Sequence, residues 1–398
     1  MLTLPLITFY GLGTILGAGI YVLVGKVAGS AGLYAPISFL IAAAIAALTG
    51  FAYAELGSRY PLSGGEAVYV EEGLGYRKLS IIVGLLTATA GLVSAATITH
   101  GFVGYVNVFI SLPATLVIVA IVLALGLLAA WGILQSAWAA AIATIVEIAG
   151  LVIVISVAAP SLATLPERWP ELLPPVDALT WSGIMLGAFL AFYAFIGFED
   201  MVNVAEEVQD PERNLPKAIL LALFLSTALY VLVALVAVLS LPPGELASAD
   251  APLALIVEQY GGHSPLLISA ISLFAVINGA LIQIIMAARM LYGMSAAGWI
   301  PAAFSRLGTR TGTPVFSTAV ATVCVLLLAL ALPLVTLAKA TSSVVLVVFI
   351  LINLALIRIK RRLPSPPGVR VYGAWVPWGG LLLSASLLAF HLLTLVGR

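Results

Sequence analysis

The stretch TFYGLGTILGAGIYVLVGKVAGS, from Thr8 to Ser30, decides the fold of this chain. It is apolar and long enough to span a membrane as a helix, yet it contains Gly11, Gly13, Gly17 and Gly19. Each glycine destabilises a helix by about 1 kcal/mol relative to alanine. The sequence therefore predicts a helix that is broken near mid-membrane, where protein or a water-filled cavity must surround the freed backbone. An unbroken helix with a glycine-lined packing face is the alternative, and this stretch alone leaves both open.

The composition assigns the chain to the helical membrane proteins. Of its 398 residues, 62% are hydrophobic and 9% are charged, whereas about a quarter of a soluble domain is charged. Apolar runs of about 20 residues predict eleven spans. They lie at roughly 6–28, 33–57, 79–109, 113–133, 138–159, 181–205, 216–241, 264–297, 314–332, 338–357 and 373–396. We therefore expect an all-α integral membrane protein.

The distribution of Lys and Arg predicts how these spans are oriented. Of the 17 basic residues, thirteen fall on one side of the predicted membrane and four on the other. Because basic residues accumulate in cytoplasmic loops, we expect a cytoplasmic amino terminus and a multi-pass protein of the cell membrane. The first apolar run is too long for a cleavable signal and lacks its basic start.

Few residues in the chain could supply catalytic or metal chemistry. One cysteine, Cys324, cannot form an intramolecular disulfide, and three scattered histidines provide no metal-ligand cluster. The formal net charge of zero indicates no nucleic-acid partner, and the GxxxxGK[ST] motif of ATP-driven pumps does not occur. We expect no metal, no cofactor and no enzymatic activity.

A second interrupted span lies five spans after the first. The stretch WSGIMLGAFLAFYAFIGFEDMVNVAEEV, from Trp181 to Val208, places Gly197 inside an apolar helix and follows it with Glu199 and Asp200. Paired breaks are typical of transporters built from two inverted repeats, and an odd number of spans reverses the topology. The sequence predicts a first five-helix repeat at 1–160, a second at 161–358 and a peripheral helix at 359–398. A packing glycine at Gly197 is the alternative.

Four motifs resemble the family of amino acid–polyamine–organocation transporters. GAGIYVLVGKVAG (Gly17 to Gly29) is similar to its first-span signature, and RYPLSGGEAVYVEEGLG (Arg59 to Gly75) is similar to its loop between spans two and three. AFIGFEDMVNVAEEVQDPERNLPKAI (Ala194 to Ile219) resembles its sixth span, and AARMLYGMSAAGWIPAAFSRLGTRTGTP (Ala287 to Pro314) resembles the end of span eight and the following loop. The resemblance is to the cationic amino acid transporter-like branch and its prokaryotic relatives. It implies two inverted repeats with broken first and sixth helices, in a family that commonly has twelve spans.

The resemblance also implies a substrate site at the two breaks. An amino acid needs donors for its carboxylate, and the free N–H groups and positive dipole end of a half-helix supply them. After the break at Gly17, the expected donors are the N–H groups of Ala18, Gly19 and Ile20.

Backbone carbonyls that lose their helical partners at the breaks suit the ammonium group of the substrate. By resemblance, these are the carbonyls of Ile15, Tyr193, Ala194 and Ile196. Phe195 and Phe198 border the break at Gly197 and are candidates for an aromatic lid over the substrate. Packing of both rings in the helix core is the alternative.

Two acidic residues within the spans are candidates for energy coupling, because burying an ionisable group costs several kcal/mol. Glu147 lies near the middle of span five, where the resemblance implies a lysine in many proton-linked relatives. Desolvation favours the neutral acid, which could carry the coupled proton. Glu199 resembles the acidic residue of the family's sixth span. A structural role, as a hydrogen-bonded acid or as a cap on the break, is the alternative for both.

These observations predict a secondary transporter of amino acids in the cytoplasmic membrane, proton-linked and operating by alternating access. Amino-acid exchange, sodium-linked symport and transport of polyamines or other organocations are alternatives of the same class. A channel or a membrane receptor is the alternative from a different class. The expected partners are an amino acid, a proton or a sodium ion, and membrane lipids. The preferred side chain and the oligomeric state are not predicted.

Overall fold

The protein is described by a computed structural model that covers residues 1–17, 19–62, 65–132, 137–309 and 311–396. Within these ranges, regular structure is helical apart from one isolated bridge that pairs Leu2 with Val208. Nine helical stretches of these ranges are long and apolar enough to cross a membrane, and two shorter apolar helices, Leu4–Leu16 and Val315–Ala331, accompany them. The predicted all-α membrane fold is confirmed.

Eleven spans follow one another along the described chain, and the first and the sixth are each divided in two. The first span consists of the half-helices Leu4–Leu16 and Gly19–Ala31. Spans two to five are Ala35–Arg59, Arg77–Val106, Ala114–Trp131 and Ala137–Ala158. The sixth consists of the α-helix Ala178–Tyr193 and the 3-10 helix Phe198–Glu207. Spans seven to eleven are Pro211–Ser240, Leu266–Ala296, Val315–Ala331, Leu334–Arg362 and Trp375–Val396.

Short helices occupy several of the connections between spans, and two of these connections lie near the broken spans. Gly65–Leu74 lies between spans two and three, and Pro243–Ser248, Pro252–Leu255 and the π-helical turn Ile256–Tyr260 lie between spans seven and eight. Proline stands in the first turn of several of these helices, where its missing N–H costs no hydrogen bond. The short helices pack back onto the bundle instead of extending from it.

Four of the first five spans pack on the span that lies five places later in the described chain. Span two packs on span seven, span three on span eight and span four on span nine. The second half of span one packs on the helix Ala178–Tyr193 of span six. This pairing brings the two broken spans together inside the bundle, and it is the arrangement expected of two related five-span repeats.

Large apolar side chains are sorted between the interior and the outer surface of the bundle. Tyr53, Phe198 and Phe349 are fully buried, with ring centroids 5.4–5.7 Å apart. Leu127 and Phe224, by contrast, are each 70% exposed on the outer surface. An apolar outer surface is what a lipid environment requires, whereas exposed apolar patches of this kind are rare on soluble monomers.

Candidate functional site

The first break occurs where the sequence predicts it. The helix that starts at Leu4 ends at Leu16, Gly17 adopts a non-helical conformation (φ −17°, ψ −108°), and a new helix begins at Gly19. A Cβ atom on Gly19 would lie 2.5 Å from the Cα of Ala194, so the backbones of the two broken spans touch at this point. The glycines therefore serve both the break and the close approach. Ala18, an expected carboxylate ligand, lies outside the described residues.

The second break depends on the backbone freedom of Gly197. Its φ of +127° is a conformation that residues with a side chain rarely adopt. A Cβ atom here would also lie 2.5 Å from the carbonyl oxygen of Thr14. The Thr14 hydroxyl donates to the Gly197 carbonyl at 2.9 Å, which joins the first half of span one to the break in span six.

A tyrosine that the sequence analysis missed joins the two breaks. Tyr230, buried in span seven, places its hydroxyl 2.7 Å from the carbonyl oxygen of Ile15 and 3.0 Å from that of Ala194. Both carbonyls were expected to receive the substrate ammonium. A phenol carries one hydrogen, so it donates to one of the two carbonyls at a time and leaves the other available. The sequence carried no signal for this contact, since Tyr230 lies in an otherwise ordinary apolar span.

A small cavity of about 20 Å³, called here the break cavity, lies between the two breaks. It is lined by Thr14, Ile15, Gly17, Gly19, Ser94, Ile98, Tyr193, Ile196, Gly279, Ile282 and Gln283. Five of the predicted substrate residues are among them. Among the described residues of this lining there is no Asp, Glu, Lys, Arg or His, so hydroxyl, amide and backbone groups supply its polarity.

Four other predicted substrate residues lie beside the break cavity without lining it. Ile20, Ala194, Phe195 and Gly197 are buried in the surrounding core. The Phe195 ring packs on Tyr230 with 5.1 Å between ring centroids, and Phe198 packs within the aromatic core. Both rings are therefore packed in the core in this structure, and the lid remains a prediction.

The Tyr193 phenol is held by span three. Its oxygen lies 2.9 Å from the Ser94 hydroxyl, and it donates to the Ser94 carbonyl at 3.2 Å. Sequence reasoning treated Tyr193 as a backbone ligand alone and did not select Ser94. Both side chains line the break cavity, so the phenol contributes to its wall as well as to the contact between spans three and six.

A second cavity of about 30 Å³, called here the acidic cavity, adjoins the first and shares Ile196 and Gln283 with it. Three of its lining residues are carboxylic acids, Glu66, Glu199 and Asp200. The remaining lining residues are Tyr53, Thr87, Ala90, Gly91, Val345, Val348 and Phe349.

Each of the three acids accepts at least one hydrogen bond at this cavity. Glu199 Oε2 accepts from the Gly197 N–H at 2.9 Å, so this side chain caps the break in span six. Asp200 Oδ2 accepts from the Gln283 amide at 3.3 Å, and Glu66 Oε1 accepts from the Tyr53 hydroxyl at 3.3 Å. The cap is the structural role considered for Glu199, and it also places the carboxyl in the cavity that adjoins the break cavity.

Glu147, the other candidate for coupling, is fully buried in span five. Its Oε1 accepts from the Asn278 amide of span eight at 3.0 Å, while its Oε2 has no hydrogen-bond partner among the described residues. Its backbone carbonyl accepts from the Tyr21 hydroxyl of span one. Glu147 lines neither cavity, but it contacts the broken span one through Tyr21 and span eight through Asn278.

Hydrogen bonds join neighbouring segments to the two broken spans at both of their ends. At one end, Lys26 donates to the carbonyl of Ala247 at 2.6 Å, which fastens the helix Pro243–Ser248 to span one. At the other end, the Leu2 N–H donates to Glu207 and the Leu2 carbonyl accepts from Gln209, at 2.6 and 2.9 Å. In the part of the chain that the structure describes, no group of His, Cys, Asp and Glu side chains could hold a metal ion.

In comparisons with known proteins, the chain matches permeases and transporters. The family model described as "Amino acid permease" matches residues 2–397. The branched-chain amino acid permease BcaP of Bacillus subtilis is 29% identical, over 91% of this chain and 81% of the relative. The vacuolar cationic amino acid transporter 2 of Arabidopsis thaliana is 32% identical, over 81% of this chain and 54% of the relative. The methylthioribose transporter of Bacillus subtilis is 26% identical, over 78% of this chain and 70% of the relative. The chain thus spans about half the length of the plant relative it matches.

Proposed function

The chain belongs to the amino acid permease family of amino acid–polyamine–organocation transporters, and we propose that it is a secondary transporter that carries amino acids by alternating access. It is a multi-pass membrane protein and a transporter, not an enzyme. The observation that carries the proposal is the break cavity, in which freed backbone groups of both broken spans meet.

The substrate would bind through its α-amino and α-carboxyl groups. The N–H groups at the start of the half-helix Gly19–Ala31 lack helical partners and face the negative charge of the carboxylate favourably. The ammonium would take whichever of the Ile15 and Ala194 carbonyls the Tyr230 hydroxyl leaves free. Neither group needs a charged side chain, which agrees with the uncharged lining of the break cavity among the described residues.

Alternating access would uncover the break cavity on one side of the membrane at a time. To open the cavity to the cytoplasm, the first half of span one and the 3-10 helix of span six would move away from the bundle. To open it to the outside, the helix Pro243–Ser248 would move away from span one. The count of basic residues supports a cytoplasmic amino terminus. The five-place pairing of spans supports the division into repeats at 1–160 and 161–358, with a peripheral helix at 359–398.

Proton coupling would involve Glu147 and Glu199. A carboxyl buried without a cationic partner favours its neutral form, and protonated Glu147 has a free oxygen available to donate towards span one. Proton occupancy would then change the stability of the broken span, which is the linkage that coupling requires.

The proposal is tested by uptake into proteoliposomes with labelled leucine, valine, lysine and arginine, under a pH gradient, a sodium gradient or neither. We expect uptake of at least one of them that is driven by the pH gradient. Uptake driven by sodium alone, or exchange without a gradient, would replace the proton by the alternatives considered above. Currents far above transporter turnover would indicate a channel, and binding without uptake would indicate a receptor.

A matched pair of glycine variants connects the uptake to the site. Gly19→Ala should abolish uptake, because its Cβ would lie 2.5 Å from the Ala194 backbone. Gly293→Ala should not, because no atom lies within 4 Å of the added Cβ. Equal uptake by the two variants would refute the assignment of the site.

Methylthioribose is a second candidate substrate. One relative is named as a methylthioribose transporter, and the break cavity presents hydroxyl and amide groups that could bind a sugar. Labelled methylthioribose tests this candidate in the same proteoliposomes. Uptake of methylthioribose without uptake of any amino acid would favour it.

A further inference from the structure

The acidic cavity holds more carboxyl groups than the proposed substrate contacts use. Glu199 caps the break, but Asp200 and Glu66 belong to neither the carboxylate nor the ammonium site. Glu66 comes from the connecting helix Gly65–Leu74, outside the spans, and is only 1% exposed. A fully buried acid on a connecting helix requires an explanation, because such groups are costly unless they are neutral or paired.

Two polar atoms at this cavity are left without partners. Glu66 Oε2 and the Thr87 hydroxyl oxygen are both buried and have no hydrogen-bond partner among the described residues. A buried carboxylate or hydroxyl in that condition usually interacts with water or a proton. The cavity volume of about 30 Å³ accommodates one or two water molecules, and its walls provide the polar partners that a water requires.

The groups that face Glu66 include no fixed positive charge among the described residues that line the cavity. Span two contributes the Tyr53 hydroxyl, and span six contributes Glu199 and Asp200. Tyr69 is the nearest titratable residue on the same helix. Spans three, eight and ten contribute Thr87, Gln283 and apolar side chains to the lining, none of which titrates. Protonation would neutralise these three carboxyls without a fixed cation.

The helix that carries Glu66 also lines a larger cavity. Ala67, Val68 and Glu71 of this helix line a cavity of about 460 Å³ together with Asn203 and Val204. By the predicted topology it is on the cytoplasmic side, where the connecting helix lies.

From this arrangement we propose that Glu66 is the cytoplasmic end of a proton path that runs from Glu199 and Asp200 through the acidic cavity. A proton leaves the carboxyl of Glu199 or Asp200 through a water of the cavity. It binds to Glu66 Oε2 and then passes to water in the larger cavity. One O–H bond breaks and one forms at each step, so that each carboxyl returns to its initial state when the next proton arrives. This inference rests on the proposed proton-linked transport and adds a residue to it.

The pKa of Glu66 is suited to this role. Burial, opposed in part by hydrogen bonds from its own backbone N–H and from Tyr53, raises the pKa of Glu66 to about 7. A group of that pKa changes from about one-tenth deprotonated at pH 6 to about nine-tenths at pH 8. It would release and accept protons readily at a cytoplasmic pH.

The test uses proteoliposomes in which the protein has a known orientation and the pH on its cytoplasmic side is varied from 6 to 8. The external pH is held constant, and uptake of the amino acid that the parent carries is measured. We expect the uptake rate of the parent to rise about tenfold from pH 6 to pH 8, in proportion to the deprotonated fraction of Glu66. Glu66→Gln should lose this dependence. Glu66→Asp should retain it, and Glu72→Gln, an exposed acid of the same helix that lines neither cavity, should behave like the parent.

A second measurement shows whether Glu66 binds the proton, independently of transport. The thermal unfolding temperature of purified parent should fall between pH 5.5 and 8.5 relative to that of Glu66→Gln. The inference is wrong if Glu66→Gln keeps the parent's dependence on cytoplasmic pH or if the two proteins unfold in parallel at all pH values. A parent that carries no amino acid would refute the proposed function, and a parent that carries one without proton coupling would refute the path at Glu66.

Discussion

Removing the Tyr230 hydroxyl tests the contact that joins the two breaks. In Tyr230→Phe, the carbonyls of Ile15 and Ala194 lose the donor that lies 2.7 and 3.0 Å away, and the phenyl ring remains in place. A buried acceptor left without a partner costs about 1–3 kcal/mol. We therefore expect the free energy of unfolding to fall by about that amount.

Tyr69→Phe is the matched control. The Tyr69 hydroxyl is equally buried but has no hydrogen-bond partner among the described residues, so its removal deprives no acceptor of a donor. The unfolding of both variants and of the parent is followed in detergent by denaturant titration. A cost for Tyr230→Phe that does not exceed the cost for Tyr69→Phe would refute the assigned role of the hydroxyl.

The substrate provides a second readout from the same pair. If the ammonium binds the freed carbonyls, it replaces the donor that Tyr230→Phe has lost. Saturating substrate should then stabilise Tyr230→Phe by more than it stabilises the parent. Equal or smaller stabilisation of the variant would show that the ammonium binds elsewhere, even where the first measurement supports the structural contact.

Four further predictions concern backbone strain, coupling, pH and topology. Gly197→Ala should lower the free energy of unfolding by about 2–5 kcal/mol in a denaturant titration, from its positive φ and its contact with span one, whereas Gly244→Ala should be neutral because no atom lies within 4 Å. Glu147→Gln mimics the neutral acid and should preserve amino-acid binding and exchange while removing the pH dependence of uptake; retention of that dependence would assign Glu147 a structural role. Folding raises the pKa of Glu66 from 4.5 to about 7, so protonated Glu66 contributes stability that is fully present below pH 4.5 and is lost as the pH rises through about 7. The free energy of unfolding should change by about 3 kcal/mol across this window, and Glu66→Gln should abolish the change in unfolding titrations. With the native cysteine replaced by serine, a cysteine at Thr309 should react with an impermeant thiol reagent only from the cytoplasmic side and one at Gly244 only from outside, and the reverse would overturn the predicted orientation.

The positions of the spans and of both breaks could be predicted because they are properties of local sequence. Apolar length marks a span, and glycine in an apolar run marks a position where the helix is weak. The largest errors in a span boundary were five residues, at the end of span ten, predicted at 357 and observed at Arg362, and at the start of span seven, predicted at 216 and observed at Pro211. Proline in the first turn of that helix extends it beyond the apolar run from which the start was predicted.

The polar contacts of the site could be predicted only in part. Glu147 and Glu199 were selected because acids within apolar spans are rare, and that signal is local. Tyr230 and Ser94 carry no such signal, since hydroxyl groups are common in spans and their partners lie far away in the chain. Glu66 lies in a connecting segment where an acid is ordinary. Its burial follows from the packing of the helix Gly65–Leu74 against the bundle, which a single sequence does not specify.

The hydrogen bonds of Leu2 have a mechanical consequence. The half-helix Leu4–Leu16 is attached to span six at both of its ends, through Leu2 to residues 207 and 209 and through Thr14 to Gly197. Hydrogen bonds at two separated points favour joint movement of the two elements. Inward opening by joint movement would preserve these hydrogen bonds, and the bending would concentrate where the helices are interrupted, at Gly17 and in the turn 194–197. The half-helix Leu4–Leu16 and the 3-10 helix Phe198–Glu207 would then open together, and opening of either one alone would be disfavoured because it breaks these hydrogen bonds.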